Sequence, residues 1–471
     1  MYRSHEGLTF TDQVLLGTAL LPDFRAWLAR IRHIGGCQHP IHLRGRTETI
    51  DATTAALISE FTSKSQPHGL LTVACGNRRV SRCEPCARLH QGDTYHLIAA
   101  GLAGGKNVPD TVRTHPRVFV TFTAPSFGPV HRHTPGGLCR PRSNTPSSKA
   151  PRCPHGTVMA CVTRHASDDP AVGAPLCPGC YDYLAAVLFN AHTRDLWQRL
   201  HRSLYEHLAS TRGITRKATR QAIRVAYAKV AEWQRRGNIH FHAVMRFDGP
   251  DGPGDPPPVW ATTGLLIETI RAATRHAVYQ VPRTKIVLRF GPQLDIRPIT
   301  PGRAGDDLTE RAVASYIAKY VTKPELAGIT LDRPLPNLAK LAQLPLTDHA
   351  RTLILTCWAV GALPPYAKIK LRRWAHQLGY RGHTATKSRA YSTTYTALRA
   401  ARAEHLATLN HETVHPSDGT IVTKDWHFSH AGHTLGEAMY AEAIADDLRA
   451  AREAARAARA DLDDAGVVDV R

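Results

Sequence analysis

The chain has 471 residues and carries 60 lysines and arginines against 39 acidic side chains, a formal net charge of +21. That length allows two or three domains with sizeable cores, and the charge surplus points to a polyanionic partner, with nucleic acid the default. No run reaches the roughly 18–20 apolar residues of a membrane span, and Met1-Tyr2-Arg3-Ser4-His5-Glu6 lacks a secretory layout; a cytoplasmic protein with no membrane partner is expected, whose ten cysteines do something other than form disulfides.

Residues 8–33 have helical periodicity, followed by a loop with Cys37, His39 and His42. Cys75, Cys83 and Cys86 lead into a helix over Asp93–Leu102. Val118 to Pro125 is β-branched and aromatic and predicts a buried strand. Residues 128–160, rich in Pro, Ser, His and Arg, predict a loop or insertion, and Leu184–Leu208 an amphipathic helix. Arg224–Gln234 and Ile239–Phe247 predict two strands around Arg235-Arg236-Gly237, with Gly237 at the left-handed third position. In that register Glu232 pairs with His240 and Val230 with His242, so Glu232, His240 and His242 share a face. A two-residue turn would instead set Trp233 opposite His240. Further on, the spacing predicts a helix over Thr262–Tyr279 and strands over 286–290 and 293–297. Helices follow over Leu308–Tyr320, Asn337–Leu344 and Asp348–Trp358. Residues 434–462 predict a solvated tail helix.

Three constellations carry chemistry. Strand alternation turns both imidazoles of His240-Phe241-His242 to one side, where with Glu232 they suit Mg²⁺ or Mn²⁺. Such an ion polarises a phosphate. Tyr316 and Tyr320, four apart, share a helix face, with Lys319 and Lys323 on the neighbouring stripe. A phenol ionises near pKa ~10, and Lys319 can favour its phenolate as the nucleophile on a phosphodiester. The cysteines form two sets with zinc-knuckle spacing. One is Cys75, Cys83 and Cys86 with Cys37 as fourth ligand. The other is Cys153, Cys161, Cys177 and Cys180, with Cys139, His155 and His165 as alternatives. Two structural Zn²⁺ are expected.

Between Arg351 and Ala400 there is no acidic residue. The segment Trp374–Ser392 mixes aromatic, cationic and hydroxyl side chains, as suits phosphates and unstacked bases. Arg372, Arg373, Arg381, Lys387 and Arg389, with Lys323, are the candidate DNA contacts. Gly101 to Asn107 has the wrong glycine spacing for a phosphate loop and Asn107 where Ser or Thr is needed, so duplex unwinding would fall to a partner.

With Val118–Gly128, Ile239–Met245 and Tyr316–Lys323 laid out, the chain resembles the rolling-circle replication initiators of the HUH endonuclease superfamily. It is most similar to those of actinobacterial plasmids and integrative elements. The resemblance implies His240 and His242 as metal ligands, Tyr316 as nucleophile, Lys319 as its helper and Tyr320 as a second nucleophile. It also implies an α+β fold, an HUH-like central antiparallel sheet flanked by helices. Three regions are expected. Residues 1–115 form an N-terminal zinc-binding region. Residues 116–325 form the endonuclease, with a zinc-binding insertion at about 139–182. Residues 326–471 form a basic, mostly helical region. The implied activity is metal-dependent nicking and joining of origin DNA, single-stranded or extruded as a hairpin, through a 5′-phosphotyrosyl link. A host helicase and DNA polymerase would be partners. A conjugative relaxase or an HUH transposase would use the same chemistry. A non-enzymatic zinc-dependent DNA-binding regulator is the alternative of another class.

Overall fold

The computed structural model describes residues 8–139, 150–300, 309–322, 331, 333–409 and 419–466. The chain divides into two units, residues 1–93 with 396–471, and residues 94–395. These limits differ from the 115/116 and 325/326 boundaries expected from sequence.

The first unit opens with α1 (Phe10–Ala19) and α2 (Phe24–His33). A capping box starts α1: the Asp12 N–H donates to Thr9 Oγ1 (3.2 Å), and the Thr9 N–H donates to the Asp12 carboxylate (3.0 Å). Pro22, which has no N–H to give a helix, falls between the two helices and splits the single periodic stretch. Strands β1 (Ile41–Asp51), β2 (Leu57–Thr62) and β3 (Leu71–Val73) follow, then α3 (Glu84–Ala103), within which the second unit begins.

The second unit contains β4 (Arg117–Phe122), α4 (Tyr183–Arg212), α5 (Arg216–Ala222), β5 (Arg224–Trp233), β6 (Ile239–Asp248) and α6 (Thr263–His276). It continues with β7 (Val278–Gln280), β8 (Val287–Arg289), β9 (Leu294–Pro298), α7 (Glu310–Thr322), α8 (Ala339–Ala342), α9 (Asp348–Val360), α10 (Leu371–Trp374) and β10 (Ala385–Lys387). The chain then returns to the first unit through α11 (Tyr395–Leu409), β11 (Thr420–Ala431) and α12 (Leu435–Gly466). There β11 runs antiparallel along the whole of β1, and Trp27 and Ile31 of α2 pack on Ala441 and Ile444 of α12. These contacts are why residues 396–471 belong with residues 1–93.

The second unit is an α+β layer structure around a five-stranded sheet of order β10-β5-β6-β4-β9, antiparallel in every pairing. One face buries Phe122, Phe241, Ala243 and Met245 in the core with Trp197 of α4; the Trp197 ring lies 5.5 Å from Phe122 and 5.6 Å from Phe241, both edge-on. The other face carries His240 and His242, and α7 packs there.

The hairpin register is the one Gly237 implies. Glu232 pairs with His240 and Val230 with His242, and Gly237 has φ +79°. The turn is tied to α4 by the buried Asn190, whose amide donates to the carbonyls of Gly237 (2.8 Å) and Leu378 (2.9 Å). Its carbonyl accepts from the Ile239 N–H at 3.0 Å. A Cβ at Gly237 would come within 2.5 Å of Leu353 Cδ1; the position needs glycine for both backbone angle and space.

Lys229 of β5 points into this core, its ammonium 4.0 Å from the Phe241 ring centroid and 5.0 Å from that of Trp197. Burial pushes its pKa down to about 7. An unfolded lysine ionises near 10.4. As pH falls from there to about 7 the unfolded chain gains a proton that the folded chain does not, and the native state loses stability. Lys229→Met should therefore be more stable than the parent at pH 7, by on the order of a few kcal/mol. The gain should shrink as pH rises towards 10. Urea unfolding of both proteins at pH 7, 8.5 and 10 checks this, and a pH-independent difference would contradict it.

Candidate active site

Three donor atoms converge where β5 and β6 pair. Glu232 Oε2 lies 2.7 Å from His240 Nε2 and 2.8 Å from His242 Nε2. All three lie within 4.8 Å of one another. Burial alone would raise the carboxyl of Glu232, but hydrogen bonds to His240 and His242, together with their charge, hold it at about 2. It is therefore ionised throughout the neutral range. Burial lowers the pKa of His242 and favours the neutral imidazole that can ligate. Its other nitrogen, Nδ1, lies 3.0 Å from Thr121 Oγ1 of β4. With Nδ1–H donating to that hydroxyl, Nε2 presents its lone pair to the cluster, as outer partners of metal-bound histidines do. Two imidazoles and a carboxylate, oriented this way, fit a divalent cation.

The tyrosine helix stands over this cluster. The Tyr316 ring centroid lies 5.1 Å from that of His242, the Tyr320 centroid 5.3 Å from it, and the two tyrosine rings 4.7 Å from each other. Tyr316 is 39% exposed and Tyr320 partly buried. Val313, Ala314, Ile317, Ala318 and Val321 form the buried side of α7, and the phenols lie on the neighbouring side, against His242 on the face of the sheet. The start of α7 is pinned to β4 by Glu310, whose carboxylate accepts from the buried Arg117 guanidinium at 2.7 Å. Burial raises the Tyr316 pKa well above the usual phenol range, and its hydrogen bond to Tyr320 and the Glu232 charge add to this; Arg297 opposes it. Lys319 is exposed beside the pair.

Phe119, Thr121 and Arg297 were not singled out from sequence. Phe119 stacks on His242 at 5.8 Å and meets Tyr316 edge-on at 5.6 Å. Phe119 and Thr121 alternate with the core residues Val118, Val120 and Phe122. That alternation was readable, but the sequence alone does not say that the second face of the strand meets a site. Arg297 reaches it only because β9 pairs with β4, setting Arg297 opposite Phe119.

Nine of the ten cysteines fall into three groups, each with ligand atoms within 4.8 Å, and Cys357 is buried in the core of the second unit. Cys37, Cys75, Cys83 and Cys86 come together as expected, with Cys37–Cys83 and Cys75–Cys86 sulfurs 3.8 and 3.7 Å apart. The second set differs: Cys153, Cys177 and Cys180 are joined by His155, not Cys161. A tight turn is the reason. The Gly156 N–H donates to the Cys153 carbonyl and the Cys153 N–H to the Thr157 carbonyl, bringing His155 Nδ1 within 3.3 Å of Cys180 Sγ. Cys161 sits instead with His131, Cys139 and His165.

The candidate DNA contacts separate. Arg372, Arg373 and Arg389 are exposed. Lys387 donates to the carbonyls of Ser388, Arg389 and Ser392, and Arg381 to that of Ala191; both hold the chain itself. Lys323 lies outside the described residues. Tyr380 and Tyr391, in the same segment, are buried, so part of the aromatic content there is core. Among the described residues no helix is long and apolar enough to cross a membrane.

Residues 23–446 match the family model described as "Replication initiator protein, pSAM2". A replication initiator protein of Streptomyces ambofaciens is 45% identical over 466 residues, covering 96% of this chain and 97% of the relative. No solved structure matches. The chain thus belongs to the pSAM2 replication initiator protein family.

Proposed function

We propose that this replication initiator nicks and rejoins one strand of origin DNA through a tyrosine ester, as an HUH-type rolling-circle initiator. The observation that carries the reading is the placement of the Tyr316 and Tyr320 rings within 5.1 and 5.3 Å of His242, itself joined to Glu232 and His240. Glu232, His240 and His242 would hold Mg²⁺ or Mn²⁺, which would polarise the scissile phosphate and offset charge on its oxygens. The Tyr316 phenol loses its proton to solvent, favoured by Arg297 and Lys319. The phenolate oxygen attacks phosphorus as the P–O3′ bond breaks. The 3′ oxygen takes up a proton and leaves as a free hydroxyl, and the 5′ phosphate stays on the enzyme as a phosphotyrosyl diester. The new hydroxyl can prime synthesis. Tyr320, its ring 4.7 Å from that of Tyr316, would serve the second exchange that releases and rejoins the displaced strand. Cys37, Cys75, Cys83 and Cys86, and separately Cys153, His155, Cys177 and Cys180, would hold structural Zn²⁺.

Labelled single strands from the origin region, incubated with the protein and Mn²⁺ or Mg²⁺, test the reading. The expected result is a protein band carrying label on a denaturing gel. A chain that binds these strands tightly but never becomes attached would instead be a non-enzymatic regulator.

A further inference from the structure

We propose that His131, Cys139, Cys161 and His165 form a third zinc centre, of two thiolates and two imidazoles, which fixes the insertion against the β5–β6 turn. Such a centre would form whether or not the protein cuts DNA.

Geometry is the first support. A tetrahedral Zn²⁺ with bonds of about 2.3 Å to sulfur and 2.0–2.1 Å to nitrogen sets ligand atoms roughly 3.3–3.8 Å apart. His131 Nδ1 and His165 Nε2 are 3.2 Å apart, and Cys161 Sγ lies 3.4 Å from His165 Nε2. Two imidazole nitrogens and a sulfur thus converge on one spot at the separations that a tetrahedral ion requires.

The surroundings are the second support. His165 turns its other nitrogen to the Asp169 carboxylate at 2.6 Å, the partner that orients a zinc-bound histidine. The Arg132 N–H donates to Cys139 Sγ at 3.3 Å, which suits a thiolate. Cys139 is wholly buried, and a buried thiolate needs a metal or a cation beside it. Two thiolates and Zn²⁺ make a neutral cluster.

The fold around it supplies the third. Among the described residues between β4 and α4 no strand or α-helix forms, and His131 and His165 stand 34 positions apart in sequence. Side-chain cross-links must hold such a segment together, as in other metal-stapled modules. Asp169 also joins the centre to the catalytic hairpin, because its backbone carbonyl accepts from Arg235 at 3.3 Å. Gly173 packs so closely on the turn that a Cβ there would lie 2.4 Å from the Arg235 backbone.

The test is zinc counting and zinc absorption spectroscopy on the intact chain, with any zinc held by Glu232, His240 and His242 subtracted as the difference from a His240→Ala/His242→Ala variant. The expected count is three ions, with nine sulfur and three nitrogen ligands among them. Two ions with seven sulfur and one nitrogen ligand would overturn the proposal. In a second arm, Cys139→Ser/Cys161→Ser should lose one zinc and keep the other two, while Cys161→His keeps all three. An unchanged count in the double variant would also overturn it. The wild-type measurement stands even where that variant folds poorly.

Discussion

Glu232→Gln should leave the chain folded, abolish tight Mn²⁺ binding and lower origin-strand cleavage about 10²–10³-fold, a loss of roughly 3–4 kcal/mol of transition-state stabilisation. One carboxylate oxygen faces both imidazoles, at 2.7 and 2.8 Å. A glutamine keeps the shape but loses the charge, and its amide can present an oxygen to the cluster only by turning an N–H₂ elsewhere. With the carboxyl held at about 2, Glu232 is ionised at any pH where the protein would be assayed. The substitution thus removes a full charge under all those conditions, and acidification should not reproduce it until well below pH 4. The side chain is partly exposed, on the face of the sheet that carries the histidines rather than on the core face, so thermal unfolding should shift little. Mn²⁺ titration followed by electron paramagnetic resonance, beside the denaturing gel, checks both halves. Wild-type Mn²⁺ affinity and cleavage in Glu232→Gln would remove the carboxylate from the site and leave the two histidines as packing.

Much of this arrangement was legible from local rules. Gly237 suits a three-residue loop, and of the two registers open from sequence that loop gives the one observed, with Glu232 across from His240. Helical spacing put Tyr316 and Tyr320 on one side of α7. Less legible was whatever depends on distant partners. Strand β11 reads as part of a polar C-terminal region because its side chains are mostly exposed, yet its backbone completes a sheet with β1, more than 360 positions earlier in sequence. The short β10 joins the central sheet beside β5 through three residue pairs, too few to leave a period. Cys161 lies apart from Cys153, Cys177 and Cys180 because spacing in sequence says nothing of which turn folds back; His155, two residues after Cys153, stands beside them instead. Lys387 and Arg381 read as surface cations, but Lys387 donates to the carbonyls of Ser388, Arg389 and Ser392 in an irregular segment that lacks ladder partners, and Arg381 donates to that of Ala191 within α4.

The tyrosine pair should divide its labour. Tyr316→Phe is expected to cut covalent attachment at least about 10³-fold, as loss of a nucleophile does, with strand binding within about twofold of wild type because binding to DNA rests chiefly on phosphate contacts elsewhere. Tyr320→Phe should leave first-strand attachment largely intact and impair rejoining. It should also move the pH profile of attachment. Burial is the largest reason the Tyr316 phenol resists ionisation, but its hydrogen bond to Tyr320 and the proximity of that second phenol come next. Removing the Tyr320 hydroxyl withdraws both, so the Tyr316 phenolate should form at lower pH and the rising limb of attachment against pH should shift towards acid. Arg297→Gln should shift it the other way, since Arg297 is the charge that favours the phenolate. Mass spectrometry of the DNA-linked peptide identifies the attached residue, and rates from pH 6 to 10 give the profile. If attachment survives in the Tyr316→Phe/Tyr320→Phe double variant, the ester is formed elsewhere. If it is lost in the double variant but neither single change moves the profile, the two phenols act interchangeably rather than in sequence.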